Sequence, residues 1–151
     1  VYRELVFKEF GVEVTPDTFY QYAVHYPLGL ISALDVLVRI PVGFTDDGAI
    51  HCVGEIPPNA MLRLLHAPAL AESDCVTKLA RELGTTENQV IAFYCAGRRM
   101  HFGQQAGVEL DTLRNATGAA RLLGALSLGE IGTDPDLGTP EFHNAALVCF
   151  R

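Results

Sequence analysis

The chain has 151 residues, of which 49% are apolar and 19% charged, a balance that can offset the entropy of ordering a core and that excludes disorder. Its formal net charge is −7, with 11 Lys plus Arg and no basic cluster beyond Arg98-Arg99, which excludes a phosphate-backbone partner. Apolar runs such as Val90 to Gly97 fall far short of the roughly 20 residues that cross a bilayer as a helix, so no membrane segment is expected.

The chain starts Val1-Tyr2-Arg3-Glu4, with no initiator Met and no apolar leader, and reads as one domain over 1–151 cut from something longer. Tyr2, Leu5, Val6 and Phe10 recur near helical spacing up to Gly11, which predicts a short first helix. Thr15-Pro16 is a cap followed by the residue favoured at the first helical position. Phe19, Tyr22, Ala23 and Tyr26 then define a second helix ending before Pro27. From Leu34 the period falls to two, predicting one strand to Val42. Asp46-Asp47-Gly48 is turn chemistry, Ala49 to Gly54 a return strand, and Ala60 to His66 a third strand after Pro57-Pro58.

Val76, Leu79, Ala80 and Leu83 lie at i, i+3, i+4 and i+7 before Gly84, the clearest helix in the chain. Gln89 to Ala96 is apolar on both faces and predicts a central strand packed between layers. A helix is expected over Gln104 to Leu123, weakened at Gly118. Strands follow at Leu126 to Ile131 and Ala145 to Phe150, with a loop from Gly132 to Pro140 between them. This order implies an α+β fold, with a mixed or antiparallel sheet of about six strands and helices packed on it.

Three places could carry chemistry. Cys95-Ala96-Gly97-Arg98-Arg99 closes the central strand, where Arg98 offers a fork of donors suited to a carboxylate or phosphate. The other reading pairs Arg98 and Arg99 with Glu109 or Asp111 at the surface. Glu130 stands in an apolar strand between glycines and, if buried, needs an Arg, a ligand ammonium or water. His143-Asn144 can donate and accept across a small polar ligand, or cap loose backbone groups. The site residues expected for a ligand are thus Arg98, Glu130, His143, Asn144 and Cys95. No metal or cofactor is expected: five His and four Cys show no HxxxH, HExxH or CxxC spacing, and no Walker or dinucleotide loop is present. Cys52, Cys75, Cys95 and Cys149 each sit in an apolar stretch, as reduced thiols of a cytoplasmic protein would.

These residues resemble the C-terminal half of the FIST family of intracellular signal-transduction sensors. The likeness runs through Val1-Tyr2-Arg3-Glu4-Leu5, Tyr26-Pro27-Leu28-Gly29, Val38-Arg39 and Gly54-Glu55-Ile56-Pro57. It continues through Cys95-Ala96-Gly97-Arg98, Gly124, Gly129-Glu130-Ile131 and His143-Asn144. A departure is Ala145-Ala146, where the family often carries a polar residue such as Thr. The resemblance implies a sensory domain that binds small ligands such as amino acids and is preceded by a FIST N-terminal domain. On that expectation Arg98 takes an α-carboxylate and Glu130 an α-ammonium, with apolar walls around the side chain.

Two other functions compete with binding. One is a cysteine-dependent hydrolase or transferase with Cys95 as nucleophile and His143 as base, Asn144 or Glu130 orienting it. Against it stands the expectation that no helix N-terminus directly follows Cys95 to lower the thiol pKa. The other is a structural partner domain that packs on the N-terminal half, or on itself as a homo-oligomer.

Overall fold

The helical spacing of Tyr2 and Val6 gives α1 (Tyr2–Phe10), which buries both side chains and ends at Gly11, left-handed at φ 69°. This is the first element of a computed structural model that describes residues 1–32, 35–133 and 140–151. The chain divides into two units, 1–67 with 131–145 and 68–130 with 146–151.

In the first unit α2 (Phe19–Ala23) starts three residues after Pro16. The Thr15 and Thr18 side chains bond to each other and to each other's N–H, closing a turn ahead of the helix. Tyr2, Val6, Val14, Phe19 and Ala23 form the core, with the Phe19 ring edge-on to Phe44 at 5.0 Å. Strand β1 (Leu28–Ile31) is central in an antiparallel sheet between β2 (Val36–Arg39) and β5 (Leu62–Leu64). Strands β3 (Pro41–Phe44) and β4 (Ile50–Cys52) form the expected hairpin around Asp46 to Gly48.

The single strand expected from Leu34 to Val42 is two strands, and Leu34 itself lies outside the described residues. They part at Ile40, whose N–H donates to Asn144 Oδ1 at 3.2 Å and whose carbonyl accepts the Val53 N–H at 3.0 Å. A side chain thereby replaces a ladder partner, which alternation alone does not reveal. Strands β8 (Glu130–Thr133) and β9 (Pro140–His143) pair with each other, and residues 134–139 of the expected loop lie outside the described residues.

In the second unit α3 (Cys75–Leu83), α4 (Ala96–Phe102) and α5 (Ala106–Thr117) accompany a sheet in the order β10-β6-β7. Its strands are β6 (Gln89–Cys95), β7 (Arg121–Ser127) and β10 (Leu147–Phe150), with β7 parallel and β10 antiparallel to β6. Val76, Ala80, Ala92, Tyr94, Phe102, Ala106, Leu113 and Leu147 make one core. Strand β6 is central, as expected. Only one of its faces is packed, however, since Val90, Ala92 and Tyr94 are buried while Ile91 and Phe93 are exposed. The helix expected over Gln104 to Leu123 ends at Thr117, because Gly118 turns left-handed at φ 71°. Leu122 and Leu123 belong to β7. The fold class is α+β. In place of one sheet of about six strands, ten short strands form four small sheets among the described residues. No described helix is long and apolar enough to cross a membrane.

Gly124 lies opposite Ala92 in the β6–β7 register with φ 152°, and a Cβ there would run into the Ala92 carbonyl. Gly124→Ala is expected to cost about 3 kcal/mol or more in urea unfolding, because backbone rather than a flexible side chain must move. Gly11→Ala meets no neighbouring atom and is expected to cost only about 1 kcal/mol, the penalty of a left-handed alanine at a helix end.

Candidate functional site

The parallel register of β6 and β7 sets Cys95 opposite Ser127 where both strands end at their carboxyl termini. Cys95, extended at φ −60° and ψ 130°, is followed at once by α4, so Gly97, Arg98 and Arg99 are helical. This corrects the expectation of no helix start behind Cys95. Burial of Phe102 and the anchoring of Arg98 hold the segment helical despite Gly97. Cys95 is 1% exposed, and its N–H donates to the Ala146 carbonyl at 3.2 Å. The Ser127 hydroxyl donates to Glu130 Oε1, and Glu130 is 6% exposed. Cys95, Ser127 and Glu130 thus gather at one end of the parallel pair, outside the carboxyl ends of strands where α/β ligands commonly bind.

Arg98, at the first turn of α4, is engaged with Glu109 of α5. Its Nε donates to Glu109 Oε2 at 2.9 Å, its Nη2 donates to Oε1, and Nη2 also reaches Ser73 Oγ at 3.4 Å. The Tyr94 hydroxyl of β6 donates to the same Oε2, and the guanidinium lies 5.1 Å from the Phe102 ring centroid. Side-chain exposure is 11% for Arg98 and 2% for Glu109, so the pair is interior rather than the surface contact weighed from the sequence. Burial alone would lower the Arg98 pKa, but hydrogen bonds and charge from Glu109 reverse it and raise it. Burial raises the Tyr94 pKa, and the neighbouring Glu109 carboxylate raises it further. Sequence reading did not make Glu109 a site residue. The available signal was its place three after Ala106 and four before Leu113, a core-facing helical position where a carboxylate requires a cation.

His143 and Asn144 belong to the first unit. His143 ends β9 half-buried, and Asn144 is buried with its Oδ1 on the Ile40 N–H, the backbone-capping role foreseen as the alternative. The Ala145 that follows is left-handed at φ 59°. Arg39, which sequence reading passed over, is buried beside them. Its Nε donates to the Glu55 carbonyl at 2.9 Å, and its Nη1 to Val38 and Phe142 carbonyls at 3.0 and 2.9 Å. Its guanidinium lies 5.9 Å from the Phe142 ring centroid. Burial lowers its pKa, while Cys52 and Glu141 act in the opposite direction. Three segments distant in sequence are thereby knitted together by two polar side chains.

The four cysteines are free thiols. Burial raises the Cys52 pKa and pushes Cys149 up to about 11. Among the described residues no three His, Cys, Asp or Glu side chains are grouped to hold a metal ion.

Over residues 1–133 the sequence matches the FIST C domain family, and this match covers most of the chain. No curated protein and no solved structure matches it.

Glu109→Gln leaves Arg98 buried against a neutral partner and is expected to cost about 3 kcal/mol or more in urea unfolding, against about 1 kcal/mol for Tyr94→Phe. Tyr94 titrates above its ordinary value of 10.0. Its contribution is therefore complete below pH 10 and is lost as pH rises through the higher folded value. Tyr94→Phe is expected to flatten the fall in stability above pH 10, measured by urea unfolding across the alkaline range.

Proposed function

Because the chain belongs to the FIST C-domain family, a family of signal-transduction sensory domains, we propose that it is a cytoplasmic sensory module that binds a small amine-bearing ligand. The ligand class is an amino acid or a derivative of one, and the module acts beside a FIST N-terminal domain. The observation that carries the reading is Glu130. It is a buried carboxylate fixed by the Ser127 hydroxyl at the carboxyl end of the β6–β7 pair, one strand from Cys95. A carboxylate in such a place favours a cationic donor over a neutral one, because opposite charges attract strongly where water is scarce.

In the proposal Glu130 takes the ligand ammonium, and Cys95 and Ser127 supply the small side chains beside it. Arg98 meets a ligand carboxylate in competition with Glu109, which already accepts from its Nε and Nη2. His143 and Asn144 stay outside this site, within the first unit, where Asn144 holds the Ile40 N–H. What supports the reading is family membership together with this buried carboxylate at a strand end.

A second reading has one observation in its favour. Cys95 stands directly before a helix, as the nucleophile of a cysteine-dependent hydrolase or transferase can. Against it, Cys95 is 1% exposed, and a nucleophile must be reached.

Calorimetry of the intact protein against a panel of amino acids, with matching amines and carboxylic acids, is expected to give saturable heats for amine-bearing members. Glu130→Gln is expected to weaken them by roughly tenfold or more. Silence across the panel, or heats indifferent to Glu130→Gln, would discard the reading. Iodoacetamide near neutral pH is expected to leave native Cys95 unmodified and to label it on unfolding. Stoichiometric native labelling at Cys95 would favour the enzyme.

A further inference from the structure

The first unit also contains a cleft of about 720 Å³ that none of the residues discussed for the strand end lines. Its size falls within the roughly 300–1,000 Å³ of small-molecule sites. Core residues Val14 and Phe19 form the floor. Phe44 of β3 and Phe7 of α1 also line it, and Phe7 is 60% exposed, a large apolar side chain left in water beside an apolar hollow.

The charged residues of the lining are unequal. Glu13 and Asp46 contribute two carboxylates against the guanidinium of Arg3, while Glu4 is paired with the Val1 ammonium at 3.2 Å. Arg3 itself shows what the aromatic wall accepts. Its Nε donates to the Val14 carbonyl at 2.6 Å, and its guanidinium stands 5.8 Å from the Phe44 ring centroid. Aromatic faces carry partial negative charge and attract cations, and an acidic rim adds a field of the same preference.

We propose that this cleft binds an organic cation with an aromatic or branched apolar body, a protonated amine being the simplest. The body lies on Phe7, Phe19 and Phe44, and the ammonium faces Glu13 and Asp46. A carboxylate on the same body would meet the like charges of Glu13 and Asp46, so the rim discriminates by repulsion as well as attraction. The proposal shares no residue with the Glu130 site and does not rest on it.

The test is calorimetric titration of the protein with 2-phenylethylamine, 2-phenylethanol and 3-phenylpropionate. The amine is expected to bind saturably, the alcohol roughly tenfold more weakly, and the acid not at all. The exposed pair Glu13→Gln/Asp46→Asn is expected to raise the amine Kd by roughly tenfold. Phe44→Leu, which keeps apolar volume without an aromatic face, is expected to raise it severalfold. Glu130→Gln is expected to leave it unchanged, which separates this cleft from the strand-end site. Equal binding of acid and amine, an affinity unmoved by the paired carboxylate change, or an affinity lost with Glu130→Gln overturns the proposal.

Discussion

Strands β6 and β7 approach each other across a position that tolerates no side chain. Gly124 faces the Ala92 carbonyl so closely that even a methyl group has no room, and the parallel register from Gln89–Arg121 to Cys95–Ser127 runs through that point. Everything distinctive about the second unit follows from this register. It sets Cys95 beside Ser127, lets Ser127 hold Glu130, and delivers the chain into α4 at the same end of the sheet. A shift of one residue would exchange the two faces of β7 and send Leu122 away from the core it packs against.

The two units use buried arginine in different ways. Arg98 faces a carboxylate, so its charge is neutralised within the pair, and Tyr94 satisfies the same carboxylate oxygen. Arg39 donates to backbone carbonyls and lies beside an aromatic ring, with Cys52 and Glu141 acting on its charge without a hydrogen bond among those described. Carbonyl dipoles stabilise a cation without cancelling its charge, which is why burial lowers the Arg39 pKa while Glu109 lifts that of Arg98. The first arrangement locks α4 to α5. The second ties β2 to the segment after β4 and to β9, joining residues far apart in the chain.

Periodic segments were legible. The α1 and α3 spacings follow from an apolar face and the β3–β4 turn from Asp46-Asp47-Gly48, and β6 is central although only one of its two apolar faces is packed. What escaped was set by tertiary partners. Strand β1 reads Leu-Gly-Leu-Ile, with no alternation to see, and is defined by its two neighbours. Ile40 looks like mid-strand until Asn144, 104 residues away, takes its N–H. Gly97 suggested a loop, whereas the grip of Glu109 on Arg98 favours a helix there. Sequence singled out Cys95 and Glu130, and the β6–β7 register sets Cys95 opposite Ser127, which holds Glu130. Sequence could not foresee that Arg98 would meet Glu109 in the interior, because that pairing depends on how α4 folds back toward α5.

The same burial that organises these polar groups bears on the choice between binding and catalysis. A nucleophilic thiol needs a path for substrate, and Cys95, although it directly precedes α4, is buried. With 1% of its surface open, Cys95 behaves as a small wall residue of the strand end rather than as a reagent. Glu130 differs in kind. In the proposed function its buried carboxyl group, held by the Ser127 hydroxyl, meets the ligand ammonium and acts through electrostatics alone. Reversible recognition, as proposed, needs no accessible thiol, whereas the cysteine-dependent reading does, and the burial of Cys95 therefore weighs against the second and leaves the first untouched.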